Sequence, residues 1–366
     1  MLALDTKQSL LDKWNTYLRD QQLDKALSIR AQFKQESALT YSVSDSKKII
    51  LLKARTAILE KDMPKAEKYL IKMERYLDTA DPAYYFYFHF FKGIYNYLND
   101  KFEAAIYEYK LAGRKLKNIE DSIEVAEYHY NVAAVYYEAN KITLSIQHIH
   151  AALELFKQHQ KLKRMADCQC LLGSNHYEIK QYNEAERHYT KALKLGESNG
   201  YPEIKKIVYH NLGFLYGEQN KSAEAIKNLK LALSLPGKYD SEHLIKTYFL
   251  LSRESYRLDE IQEGNEWYEK GTSLSHDANN QSYIYHFRVL KTNYDPDYNS
   301  YGELEDEYIE IINYFVDSEI WYFVEQYSSI LAQYYKDNGD FELACEYYDL
   351  MVTAKEKMDY KGVLHS

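Results

Sequence analysis

Proline and glycine are scarce in this chain, with 5 Pro and 13 Gly among 366 residues. That scarcity excludes a turn-rich β fold and favours long uninterrupted helices. Cysteine is scarcer still. Cys168, Cys170 and Cys345 are odd in number and too few for a disulfide framework, which fits a reducing compartment. Positive charge is not in excess: 46 Lys and Arg stand against 55 Asp and Glu, a net charge of −9. No nucleic-acid partner is therefore expected, and a basic or complementary protein surface suits this charge better. The longest apolar run, Tyr84 to Phe91, is too short to span a bilayer and is interrupted by His89, so no membrane association is expected. The N-terminus lacks a basic segment followed by an apolar core, as a secretory signal would have. A cytoplasmic location follows as an expectation. There is no Walker loop, no Gly-x-Gly-x-x-Gly and no His-Glu-x-x-His, so neither a catalytic residue nor a cofactor is expected.

What the chain does have is tyrosine, 39 residues of it, and a repeat. His210-Asn-Leu-Gly-Phe-Leu-Tyr216 is followed by Ala225, Leu229 and Ala232. Forty residues earlier stand Leu172-Gly173, then Ala185, Tyr189 and Ala192. The small residue of the second helix recurs at Ala26, Ala66, Ala105, Ser145, Ala185, Ala225, Gly264, Leu304 and Ala344, in steps of 39 or 40. A small residue lets two helices approach closely, and a bulky residue four positions on shares its face. Each hairpin keeps an apolar face that only its neighbour can cover. The order of Leu-Gly-x2-Tyr and Ala-x3-Tyr-x2-Ala marks tetratricopeptide units, although their usual period is roughly 34. HEAT-type repeats are the structural alternative. The units at Gly264 and Leu304 are degenerate, and Asn293–Asn299 is the expected interior loop. Asp78-Thr-Ala-Asp-Pro82 sets a boundary between an N-terminal helical segment, 1–78, and a repeat domain, 83–366.

Tyr84-Tyr-Phe-Tyr-Phe-His-Phe-Phe-Lys-Gly-Ile-Tyr95 resembles the aromatic signature that opens the repeat domain of Rap proteins, peptide-controlled regulators of Gram-positive spore formers. Val125–Tyr137, Leu172–Glu178 and His210–Gly213 resemble the helices that follow it, and Leu10–Trp14 and Leu51–Arg55 resemble the family's N-terminal bundle. The resemblance implies an all-α chain: an N-terminal helical bundle followed by a right-handed tetratricopeptide-repeat superhelix. It also implies a short signalling peptide bound in the repeat concavity, and a response regulator or other regulatory protein engaged by the N-terminal bundle. Some members hydrolyse the regulator's aspartyl phosphate with a Gln in that bundle. Counting back from Arg55, the corresponding position here is Val43, which cannot orient water. The resemblance thus points to sequestration, with phosphatase activity as an alternative in which Gln35, Asp45 or another polar residue substitutes. A static scaffold needs only the repeats.

Asn211 immediately precedes Leu212-Gly213, a position that faces the groove in tetratricopeptide helices; Asn131 is its equivalent two repeats earlier. A side-chain amide donates and accepts, so it can hold a peptide backbone without reading its sequence. Asn175 and Glu178 match a family segment whose acid contacts the peptide's positive group. Tyr130, Tyr177, His210, Phe214, Phe249 and Arg253 fall at groove-facing positions by the same counting. Ordinary packing is the competing reading for each. His148-x-His150 and Cys168-x-Cys170 lie within helices, where residues two apart diverge, so neither is expected to hold a metal.

Overall fold

A computed structural model of the chain describes residues 2–35, 42–78, 81–237, 240–294 and 303–363. Side chains at 2–8, 33–35, 303–304 and 359–363 are outside the description, so the Leu304 marker cannot be placed; most of the expected 293–299 loop is outside it as well. Among the described residues there is no β-strand. Two compact units are formed, Met1–Gln181 and Tyr182–Ser366.

In the first unit, α1 (Leu2–Arg19) pairs with α2 (Leu23–Gln35), and α3 (Val43–Leu59) with α4 (Met63–Glu74). Next come α5 (Pro82–Tyr97) with α6 (Phe102–Gly113), then α7 (Ser122–Glu138) with α8 (Ile142–Gln158). Helix α9 (Leu162–Glu178) packs on α8 and α7. The second unit opens with α10 (Tyr182–Ser198) against α11 (Pro202–Glu218), which pairs with α12 (Ser222–Ser234). Helices α13 (Ser241–Arg257) and α14 (Ile261–Asp277) form the next hairpin. Helices α15 (Gln281–Tyr294) and α16 (Glu303–Asp317) follow, then α17 (Trp321–Asp337) and α18 (Phe341–Val363). This is the all-α repeat architecture the sequence predicts.

The 40-residue period has a simple origin. Helices α7 and α8 each run 17 residues, and three-residue turns follow them. At each turn one residue is left-handed: Asn140, Gln160, Lys180, Gly200 and Asn220 have φ between +50° and +67°. The next residue's N–H closes the helix by donating to a carbonyl five residues back. Lys141 N donates to Tyr136 O at 2.7 Å, and Lys161, Gln181, Tyr201 and Lys221 repeat the bond at 2.9 Å. This is the Schellman closure, in which glycine is preferred because it bears no Cβ. Of these five turns only Gly200 uses glycine, so the chain keeps a glycine-dependent geometry with little glycine.

The small residues mark the closest helix approaches. Ala26, Ala66, Ala105, Ser145, Ala185 and Ala225 are all fully buried. Their partners on the first helix are equally constrained. A Cβ on Gly213 would meet Leu229 Cγ at 2.5 Å and the Ala225 carbonyl at 3.2 Å; one on Gly93 would meet the Tyr109 ring at 2.4 Å. Tyr109 and Leu229, four positions after Ala105 and Ala225, therefore occupy the space that Gly93 and Gly213 leave.

Packing in the first unit runs without a break from Ala54 to Tyr136. Phe86, Phe88, Phe90 and Phe91 all sit in that core, so the aromatic stretch of α5 is a packing stripe. Asp81 caps α5 by accepting from Tyr84 N at 3.0 Å, with Pro82 in the first turn. The Asp-Pro break is thus a helix start. Ahead of it, Trp14 is fully buried beside Leu11, Leu18 and Leu52 and donates from Nε1 to Thr56 Oγ1 at 3.2 Å. The second unit has aromatic-rich cores of its own, around Tyr308, Phe315 and Tyr327 and around Phe249 and Phe287.

Candidate functional site

In the second unit, five of the predicted residues lie on two neighbouring first helices, α11 and α13. Side-chain ties hold these helices together at both ends. At one end His210 lies 3.0 Å from Thr247, Nδ1 to Oγ1. The Thr247 hydroxyl donates to the His243 carbonyl at 2.7 Å, so it must accept from His210. His210 is therefore the Nδ1–H tautomer with its Nε2 left as an acceptor. Burial pushes its pKa down to about 4, and the neighbouring His243 and Lys246 charges add to the shift, so the ring is neutral. At the other end Arg253 reaches Glu218 at 3.1 Å and donates from Nε to the buried Glu254 at 2.7 Å. Gly217 makes room for it: a Cβ there would sit 2.9 Å from Arg253 Nη2.

Between the ties lie Asn211 and Phe214 on α11 and Phe249 on α13, each half-buried. Phe214 and Phe249 share one apolar cluster with Leu229 and Leu250. Phe249 also packs edge-on against Tyr283 and Phe287, at 5.8 and 5.4 Å between centroids. Among the described residues, the Asn211 amide makes no hydrogen bond. One further donor is idle here, since Arg253 Nη2 is buried without a partner. An open amide beside aromatic walls can pair with backbone carbonyls and N–H groups of an extended ligand.

The other five residues lie in the first unit, on α7 and α9, and these helices carry ties of the same kind. Arg164 grips Glu127 with two bonds of 2.8 and 2.6 Å and Asp167 with a third of 2.7 Å. At the far end Tyr137 donates to Glu178 at 3.2 Å. Tyr130 lies beneath the Arg164 guanidinium, 3.9 Å from ring centre to carbon, and burial pushes its hydroxyl pKa well up. Tyr177 is half-buried and Glu178 is exposed. The two asparagines here differ from Asn211. Asn131 is half-buried and donates to the carbonyl of Glu127 at 2.8 Å; Asn175 is fully buried and donates to that of Leu171 at 2.7 Å. Both amides are thus committed to their own helix, although Asn175 Oδ1 has no partner.

Sequence reasoning missed the ionic frame of the first unit. Arg55 on α3 donates to Glu124 on α7 at 2.5 Å, next to the Glu127–Arg164 pair. Glu124 is fully buried, and its second oxygen has no partner. Arg19 meets Asp121 at 2.8 Å, and Lys161 meets Asp20 at 2.9 Å. The signal was present: Glu124, Glu127 and Tyr128, spaced by three and four, share one buried face of α7, where an unpaired acid could not stay charged. Val43, where the counting places the hydrolytic Gln, is the first residue of α3 and is 68% exposed. His148 pairs with His129, Nδ1 to Nδ1 at 2.9 Å, rather than with His150. Cys168 and Cys170 are buried, and burial pushes both thiols far up. Among the described residues, no cluster of three or more metal-ligating side chains occurs, and no helix is long and apolar enough to cross a membrane.

A chain of such helical hairpins, with small residues at each close approach, has the fold of the tetratricopeptide class. The tetratricopeptide-repeat family profile matches residues 166–199 and 207–239. Response regulator aspartate phosphatase I of Bacillus subtilis (strain 168) is 23% identical, over 98% of this chain and 92% of its own length. Regulatory protein RapK of the same organism is 24% identical over 99% of both chains. The apo form of the quorum sensor NprR from B. thuringiensis aligns with a TM-score of 0.83 at 19% identity, covering 97% of this chain and 100% of that one. A Rap protein complexed with competence and sporulation factor gives a TM-score of 0.78 at 19% identity, over 98% and 99%. NprR in complex with its cognate peptide NprX gives 0.71 at 19% identity, over 95% and 98%. The fold is that of the Rap and NprR structures, and the chain resembles the Rap proteins from end to end.

Proposed function

We propose that this chain is a Rap-like quorum-sensing receptor of the cytoplasm. A short signalling peptide binds the first-helix faces of the repeat domain, residues 83–366. Binding alters how the N-terminal segment, residues 1–78, holds a response regulator or other regulatory protein, and the output is sequestration. The observation that carries this reading is the Asn211 amide, open between the His210–Thr247 and Glu218–Arg253 ties. His210, Phe214, Phe249 and Arg253 flank it in the second unit, and Asn131, Asn175, Tyr130, Tyr177 and Glu178 of the first unit are proposed as peptide contacts as well. The relatives support it, since two of the similar structures hold a signalling factor or peptide. Ligand binding shifts the balance between arrangements only by its differential affinity for them.

A second reading, aspartyl-phosphate hydrolysis, is favoured by the name of the B. subtilis phosphatase relative. Val43 weighs against it. Incubating the chain with phosphorylated response regulators separates the two. Partner capture without loss of phosphate fits sequestration. Rapid catalytic dephosphorylation would replace it with the phosphatase reading.

A further inference from the structure

Helix α3 lies between two cores of the first unit. Leu52 packs with Leu11, Trp14 and Leu18 of α1, while Ala54 and Ile58 belong to the core that takes in Phe88 and Phe91 of α5. Where the two cores meet, a cavity of about 100 Å³ opens among α1, α3 and α5. Leu51 and Phe91 give it apolar walls, and Asn15, Lys48, Arg55 and Tyr87 supply its polar groups. At about 10–15 Å³ for each water it has room for several, so a small molecule fits. None of these residues is among the proposed peptide contacts.

The polar groups of this cavity are under-used. Arg55 is nine-tenths buried, yet among the described residues its one hydrogen bond runs from Nη1 to Glu124. Its Nε and Nη2 have no partner there, and neither atom is sealed off. The Asn15 amide and the Tyr87 hydroxyl, both half-buried, make no hydrogen bond among the described residues either. Burial pushes the Tyr87 pKa up, so the hydroxyl keeps its proton and can donate. Buried donors are normally paired. Water can satisfy them, but it gains nothing against Leu51 and Phe91.

All four polar groups can donate, and the guanidinium and the ammonium can only donate. No acid lines the cavity, so a ligand must bring the acceptors. The Nε–Nη2 edge of a guanidinium matches the two oxygens of a carboxylate in one plane. Glu124 and Asp12 already offset one charge each on Arg55 and Lys48, which suits a monoanion better than a phosphate dianion. We propose that this cavity binds a short organic acid, with its carboxylate on Arg55, Asn15 and Tyr87 and its apolar end against Leu51 and Phe91. The bound acid joins α1, α3 and α5, and so stabilises the packing of the N-terminal helices on the first repeat helix.

The test titrates isovalerate into the full-length chain, followed by ligand-observed NMR and by melting temperature. Isovaleramide, of the same shape without the charge, is run beside it, as is inorganic phosphate. Arg55→Met alone would strand Glu124, so the charge is removed as Arg55→Met/Glu124→Leu; Tyr87→Phe keeps the packing and removes only the hydroxyl. The expected result is saturable binding of isovalerate to wild type with a raised melting temperature, and little binding of isovaleramide. Binding should weaken about two- to tenfold in Tyr87→Phe, and about tenfold or more in the double variant. N-acetylvaline separates two sources of the carboxylate: binding weaker than isovalerate assigns a free acid, and tighter binding assigns the carboxyl end of a chain. The proposal is overturned if isovalerate does not bind wild type, or if isovaleramide or phosphate binds at least as well. It is also overturned if either variant binds isovalerate as wild type does.

Discussion

His210 on α11 donates to the Thr247 hydroxyl on α13 at 3.0 Å, and this bond ties two first helices together beside the open Asn211 amide. The bond requires a neutral imidazole held in one tautomer, and it makes the proposed binding face sensitive to acid.

The folded pKa of His210 is about 4, against 6.5 for the unperturbed side chain. Between those values the unfolded chain binds the additional proton. Stability is therefore complete above about 6.5 and declines as pH falls toward about 4. His148 and His286 are also pushed down to about 4, in both cases chiefly by burial, and act in the same direction. Urea titrations across this window should show the decline. His210→Gln should remove part of it, on the order of 1–3 kcal/mol. A flat profile would mean that His210 is not held neutral in the fold.

Gly213→Ala should destabilise the chain by roughly 1–3 kcal/mol, the usual range for overpacking a filled core. Its Cβ would lie 2.5 Å from Leu229 Cγ, and Leu229 is fully buried with no room to withdraw. Denaturant midpoints measure this directly. Stability equal to wild type would show that the helices do not approach as closely as the repeat register requires.

Breaking the Arg55–Glu124 pair should cost about 3–5 kcal/mol, because either single replacement strands a buried charge. Arg55→Met together with Glu124→Leu should cost much less, since then neither charge is left inside. A double-mutant cycle followed by melting checks it. A loss in the double variant equal to the sum of the two single losses would show that the pair is not coupled.

The repeat was legible because its signal is periodic. Ala66, Ala105, Ala185 and Ala225 announce the close approaches, and the structure buries all four completely. The turns were less legible. Lys180 and Gln160 occupy left-handed positions that a glycine rule does not find, because the helix-closing hydrogen bonds hold them there. The candidate site was legible as a face but not as a set of free groups. Repeat counting treats Asn131 and Asn211 alike, yet only the first amide turns back onto its own helix. Side-chain rotamers decide that difference, and spacing carries no information about them. The ionic frame of Arg55, Glu124, Glu127 and Arg164 stayed hidden because its partners are far apart in sequence: Glu124 lies 69 residues after Arg55.

The most direct measurement is isothermal titration of a synthetic peptide from a neighbouring open reading frame into wild type, Asn211→Ala and Asn131→Ala, with capture of the partner regulator recorded alongside. Asn211→Ala leaves the helix intact, since alanine is the better helix former. The account predicts a loss of about 1–3 kcal/mol in peptide binding for Asn211→Ala. The loss for Asn131→Ala should be smaller, because that amide already serves its own helix. Regulator capture without peptide should survive in both. Unchanged peptide affinity in Asn211→Ala, or lost regulator capture with a normal melting curve, would contradict it.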